Sequence, residues 1–429
     1  MASGRRPRAP RPPREDRGGG WTGAEFEVTV GPVAHGGHCV ARHEGRVVFV
    51  RHGLPGERVV VRVTEDRHPG FCRADAVEVL EPSPHRVERP CPHSGPGRCG
   101  GCDWQHVAPE EQRRLKAAVV REQLARLAGL DDVDLTVEEL PGGPLRWRSR
   151  ARFAVDRSGA AGLRRHRSHD VVVLDDCPIT EENAARAVLA RRWPGAGAVD
   201  VSVDATGAVT TTRLDRRGHP TSTRVVRPGG DLPAEPEGRA ERHAGGRDWE
   251  VEGTGFWQVH PAAADALVAA VAALAGVRAG ETVLDLYAGA GLFGGALAPA
   301  AGPDGRVVCV ESDAAACAAA DANLADLPQA EVWQGEVDPE GLAGLLEELG
   351  TPPDVVVLDP PRAGAGAAVS RLLAGTGARA VVYVACDPAS LARDVAAFGA
   401  AGYRLAGLRA FDAFPMTAHV ECVALLVPA

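Results

Sequence analysis

Val283-Leu284-Asp285-Leu286-Tyr287-Ala288-Gly289-Ala290-Gly291-Leu292-Phe293-Gly294 runs out of an apolar strand and into a helix, and its reading decides the fold. The glycines stand in Gly-x-Gly-x-x-Gly spacing at 289, 291 and 294. Glu311 closes the next apolar stretch, 22 residues after Gly289. A strand, a glycine turn, a helix and then an acid about 20 residues on is the pattern of a dinucleotide or adenosine site, the acid accepting from ribose hydroxyls. Asp285 precedes the glycines in a D-x-Y-x-G-x-G pattern. S-adenosylmethionine (SAM) has no pyrophosphate, and an acid here can engage its amino-acid end. The pattern therefore favours SAM over NAD. A bare turn with no ligand would leave Glu311 without a purpose.

Working outward, the chain from about residue 262 alternates helix and strand. A helix is expected over 262–274 and strands over 282–286, 307–310, 355–358, 381–385 and 420–427. Apolar strands alternating with Ala-rich helices imply an α/β domain with a doubly wound, largely parallel, Rossmann-like sheet, here over 256–429. In such sheets ligands bind at the strand C-termini.

The chain has 429 residues, 45% of them hydrophobic and 24% charged, enough for two or three packed domains. No apolar run nears the ~18 residues of a membrane span, and no secretory core opens the chain, so a cytoplasmic protein without a membrane partner is expected. The net charge of −9 hides an asymmetry. Residues 1–178 hold 29 Lys/Arg against 25 Asp/Glu, and the remainder 19 against 32. The basic half is nearly all arginine, Lys116 being the only lysine. Arginine forks suit phosphate, so a folded RNA is a candidate partner. No obligatory protein partner is evident.

Residues 1–21, rich in Arg, Pro and Gly, read as a disordered basic tail. Residues 22–82 read as four or five short strands, an OB-like β-barrel. Residues 83–255 form a small β-rich central region. Within it, 109–130 has apolar positions at helical spacing and is expected to pack on the catalytic domain. Alternation from Arg146 to Phe153 would set Arg146, Arg148, Arg150 and Arg152 on one face of a strand. Residues 195–250 carry no assignable pattern. Cys91, Cys99, Cys102 and the distant Cys177 make four thiols, which in a cytosolic chain point to zinc or an iron–sulfur cluster rather than disulfides.

Three further motifs lie at strand ends of the α/β domain. Asp359-Pro360-Pro361-Arg362 follows a buried strand, which holds Asp359 near the cofactor. Cys386-Asp387-Pro388 ends the next strand. His419-Val420-Glu421 opens the last one, with His419 and Glu421 on one face. A thiol, a carboxylate and a SAM pocket together fit one reaction. Uracil C5 is a poor nucleophile, but a thiolate added to C6 turns the ring into an enolate. That carbon can take a methyl, and a base must then remove the C5 proton. The target base must leave its stack.

On these residues the sequence resembles the RNA uracil-5 methyltransferases, which make 5-methyluridine in ribosomal and transfer RNA. Residues 22–82 resemble the family's TRAM domain. Phe256-Trp257-Gln258-Val259-His260 is similar to its F-x-Q-V-N segment. The resemblance implies SAM contacts for Gln258, Tyr287, Gly289, Gly291, Glu311 and Asp359, Cys386 as nucleophile and Glu421 as proton acceptor. It places Glu336 near the adenine. It also implies a 4Fe-4S cluster on Cys91, Cys99, Cys102 and Cys177, since ribosomal members carry one on C-x5-C-x2-C plus a distant C-P; here the first gap is two residues longer. Asp387 stands where the family commonly has Asn, Ala288 and Leu292 where it often has Cys and Asn, and His260 where it has Asn. The implied function is SAM-dependent methylation of uracil C5, of rRNA in preference to tRNA. Rival readings are a non-catalytic RNA-binding protein with this fold, an amino-group methyltransferase using the D-P-P loop alone, and an iron–sulfur radical enzyme. The last requires three closely spaced cysteines that are absent from the sequence.

Overall fold

The computed structural model describes residues 20–227, 230–231, 239–253 and 255–429. The basic tail expected over 1–21 lies, up to position 19, outside the described residues. The chain divides into two compact units: residues 1–34 with 38–84, and residues 35–37 with 85–429.

The smaller unit is a five-stranded sheet of Glu25–Thr29, Cys39–His43, Arg46–Arg51, Arg58–His68 and Phe71–Glu81. Val28, Val48, Val59, Val61, Val63 and Ala74 are turned to a common interior and are at most 5% exposed. Beyond Thr29 the chain pairs with the opposite edge, through Gly31 N–H to Val40 O and Val40 N–H to Pro32 O, both 2.8 Å. These bonds join the two edges, as a small barrel requires.

Among the described residues the larger unit holds three sheets, the smallest being a two-stranded hairpin of Arg239–Ala244 and Arg247–Glu252. The seven-stranded antiparallel one runs from Val171–Val173 through Ala161–Arg164, Arg150–Val155, Ala198–Val203, Val209–Leu214 and Pro220–Arg227 to Gly230–Asp231. Four of its strands lie in the stretch that carried no sequence pattern. The expected four-arginine face does not form. Arg146 takes a left-handed φ of 58° ahead of the strand, which begins only at Arg150. Arg146 pairs with Asp176 and Arg152 with Asp200, so nearby carboxylates neutralise two of the four.

The eight-stranded sheet has the order Ala330–Gln334, Arg306–Glu311, Thr282–Leu286, Val355–Leu358, Ala380–Ala385, Glu421–Pro428, Tyr403–Phe411, Val137–Glu138. Its first five strands are parallel, and Glu421–Pro428 lies antiparallel between its neighbours. Helices cover both faces, which is why Val355–Leu358 is wholly buried apolar residues. The doubly wound α/β fold is therefore as expected.

The helix Pro109–Ala128 stops at Gly129 in the left-handed conformation. It buries Leu115, Val119, Val120 and Leu124, and Val120 and Leu124 share a core with Val395 and Phe398 of the helix Pro388–Ala400. Among the described residues no helix is long and apolar enough to cross a membrane.

Candidate active site

The strand order of the large sheet reverses at Thr282–Leu286: the chain first builds outward on one side through Arg306–Glu311 and Ala330–Gln334, then returns to lay Val355–Leu358 on the other. This is the switch point where α/β sheets hold ligands. Gly291, at φ 86°, caps the helix Leu292–Ala301. A Cβ on Gly294 would lie 2.2 Å from Cys309 Sγ, so glycine there lets helix and strand pack. Glu311 Oε2 accepts from Gly289 N–H (3.0 Å) and Oε1 from Ser312 and Asp313 N–H (2.7 and 2.9 Å). These bonds fix the carboxylate at the edge of a cleft of about 1660 Å³. Tyr287 lines the cleft in a left-handed conformation (φ 61°), its hydroxyl donating to Val337 O.

Asp285 does not line the cleft, whereas the sequence reading let it engage the amino-acid end of the ligand directly or through water. It is wholly buried, and Oδ2 accepts from Gly294 N–H at 2.7 Å. Burial raises its pKa to about 7. Its position instead fastens the helix start to the strand.

Gln258, Gly289, Glu311, Glu336, Asp359, Cys386 and Glu421 line the same cleft. Gln258 is buried in its wall, and Phe256 beside it is 72% exposed. Asp359 N–H donates to Leu286 O, which ties the D-P-P-R loop to the glycine strand.

Sheet register brings Cys386 and Glu421 together. Ala385 pairs with Cys422 across antiparallel strands. One step further in the same register, Cys386 stands opposite Glu421, and directly opposed Cβ atoms lie about 5 Å apart. Glu421 is 3% exposed, and burial first, then Asp359, raises its pKa well above the carboxylate range, with Arg362 opposing. Burial and the Glu421 charge push the Cys386 thiol up to about 11. Cleft walls and Arg362 lower the pKa of His419. The last strand begins at Glu421, so His419 lies ahead of it in a loop, still on the cleft.

Arg362, within the quoted motif but given no role by sequence, is the cation nearest in effect to both Cys386 and Glu421. Asp387 accepts from Ala389 and Ser390 N–H, capping the helix Pro388–Ala400, and its other oxygen lies 2.9 Å from His35 Nε2. That bond raises the His35 pKa. No local signal joins positions 35 and 387. Arg164, Arg165, His166 and Arg167 form one cleft wall, buttressed by Gly100 N–H to Arg164 O.

Cys91, Cys99, Cys102 and Cys177 line one small cavity together with Leu163, Leu174 and Ile179. Among the described residues no three His, Cys, Asp or Glu side chains are grouped as a metal-ion site. The donor chemistry nevertheless fits a thiolate-bound group. Gln105 Nε2, Thr180 Oγ1 and Gly101 N–H donate to the sulfurs of Cys102, Cys177 and Cys99. Such bonds offset thiolate charge.

Residues 22–77 match the family described as TRAM domain, and residues 352–428 match the one described as tRNA (Uracil-5-)-methyltransferase. An RNA methyltransferase of Streptomyces coelicolor is 49% identical over 95% of this chain and 93% of its own. The 23S rRNA (uracil(1939)-C(5))-methyltransferase of Alkalilimnicola ehrlichii is 32% identical over 93% of this chain and 96% of its own. A solved tRNA (uracil-54, C5)-methyltransferase of Pyrococcus abyssi, in complex with S-adenosyl-L-homocysteine, is similar in fold. It has a TM-score of 0.67 at 22% identity and covers 94% of this chain and all of its own.

Proposed function

The chain belongs to the RNA uracil-5 methyltransferase family, and from that membership we propose that it methylates C5 of a uridine in ribosomal RNA, with Cys386 as nucleophile and Glu421 as base. The activity is SAM-dependent. The observation that carries the assignment of roles is the register that sets a thiol opposite a buried carboxylate on the floor of the cleft bearing the glycine loop.

SAM, when bound, supplies an electrophilic methyl on a sulfonium. Gln258, Tyr287, Gly289, Gly291, Glu311 and Asp359 are the residues that would hold it. Cys386, as thiolate, forms a bond to C6, and the electron pair of the C5=C6 bond moves to C5 and the C4 carbonyl. C5 would gain the methyl as the methyl–sulfonium bond breaks, leaving a neutral thioether. Glu421 accepts the C5 proton, the C5=C6 bond re-forms and the C6–S bond breaks, returning the thiolate. The buried floor keeps water from the enolate.

In this reading residues 22–82 bind RNA, 83–255 guide it and bear the cysteine group, and 256–429 perform the chemistry in the cytoplasm. The Arg164–Arg167 wall suits phosphates beside the flipped base. Cys91, Cys99, Cys102 and Cys177 hold a 4Fe-4S cluster. Anaerobically purified protein is expected to contain about four iron atoms and to absorb near ~400 nm. Cys99→Ser should lose both and unfold at lower temperature; zinc in place of iron would overturn the cluster.

The function itself is tested by mapping 5-methyluridine in RNA from a strain lacking the gene. One 23S rRNA position should lose its methyl and regain it when the purified protein and SAM are added. Loss from tRNA alone would overturn the ribosomal assignment.

A further inference from the structure

The residues just before Glu421 are held from outside their own sheet. Phe414 to Ala418 form a turn in which Thr417 N–H and Oγ1 both donate to Phe414 O. Met416 sits in it at φ 67°, a conformation a side chain adopts only when its surroundings impose it. Asp103 and Trp104 N–H both donate to Met416 O, at 3.1 and 3.0 Å. Met416 N–H donates to Gln112 Oε1 at 2.7 Å. Ala418 N–H donates to Asp103 Oδ2 at 3.1 Å. Lys116 Nζ, wholly buried, donates to Phe414 O at 3.0 Å and pairs with Asp412. The backbone of Phe414, Met416 and Ala418 thus bonds to one segment, 103–116, which begins beside Cys102.

We infer that Asp103 is a positioning residue for the base: with Trp104 and Gln112 it fixes the Phe414–Ala418 turn and so aims Glu421 at the C5 proton. This rests on the reading of Glu421 given above. The base acts only after sulfur addition and methyl transfer, so an error in its position has a distinctive result. Methyl is transferred once, and the C6–S bond then persists because the proton stays on C5. A residue that merely supports the fold would lower the active fraction without accumulating that species.

The test incubates the full-length protein with tritiated-methyl SAM and total RNA from a strain lacking the gene. Methylated protein–RNA adduct surviving denaturant is then counted per SAM-binding site. Asp103→Ala should turn over about tenfold more slowly, bind SAM within about twofold of the parent, and accumulate adduct. Asp103→Asn keeps an acceptor oxygen and should turn over without accumulating it. Gln112→Leu, which strips the acceptor of Met416 N–H, should also accumulate adduct and serves if Asp103→Ala does not fold. Adduct from Glu421→Gln but from neither Asp103→Ala nor Gln112→Leu overturns this inference alone. Adduct from none of the three overturns the base assignment and this inference with it.

Discussion

Cys386→Ser is expected to lose turnover by about 10⁴-fold or more while binding SAM as tightly as the parent. The sulfur stands at the end of Ala380–Ala385, whose six residues are all buried, so an oxygen fits without disturbing the sheet. What changes is reactivity, because a hydroxyl yields its proton far less readily than a thiol. Burial and Glu421 already raise the thiol to about 11. The neutral form is thus favoured at pH 7, and the thiolate fraction grows as pH rises. In the parent, single-turnover C6–S bond formation should therefore climb by roughly tenfold per pH unit from 7 to 9. Arg362, on the same cleft, opposes the shift. SAM binding by Cys386→Ser is checked by titration and turnover by methyl incorporation. Retained turnover would remove the covalent step and favour an amino-group methyltransferase.

How much of this could be read from sequence depended on how local each feature is. The glycine loop, Asp359, Cys386 and Glu421 follow or open apolar strands, and strand ends face the cleft wherever the sheet is parallel. The strands Ala330–Gln334 and Tyr403–Phe411 gave no such signal. The first is a half-exposed edge carrying Glu331 and Gln334, and the second is broken by Gly407 and an irregular register between Leu405 and Gly407. Asp285 misled because its pattern is shared by an acid that faces ligand and one that caps the helix beneath; the Gly294 bond decides between them. The arginine alternation misled because period two describes a strand only where one forms, and Asp176 and Asp200 lie far along the chain. Lys116 was visible as the sole lysine, but its partner is 296 residues away. Asp103 and Ala418 are 315 apart. Contacts of that kind depend on how sheets and helices pack, which spacing does not encode.

Glu421→Gln should stop the reaction one step later than Cys386→Ser. Sulfur adds and methyl is transferred, but the amide cannot take the C5 proton, so elimination fails. The expected product is one methyl per protein, held as an adduct that survives denaturant and migrates slowly on a gel. It should require SAM, since without methyl transfer the sulfur can leave again by reversal. The same substitution should not weaken the fold. Glu421 is buried beside Asp359, and its raised pKa means that ionisation at neutral pH opposes folding. A neutral amide removes that opposition, so Tm should rise, by about 1–2 °C for each kcal/mol gained in a cooperative unit of this size. The gain should be largest at high pH and vanish as pH falls below the ordinary glutamate range, where the parent carboxyl is protonated in both folded and unfolded chains. Two independent readouts thus bear on one side chain. His419 is the rival, since it lies on the same cleft and its lowered pKa keeps an imidazole ready to accept a proton. Glu421→Gln with full turnover, or adduct trapped by His419→Gln instead, would move the base to the imidazole and leave Glu421 a charge that tunes the thiol.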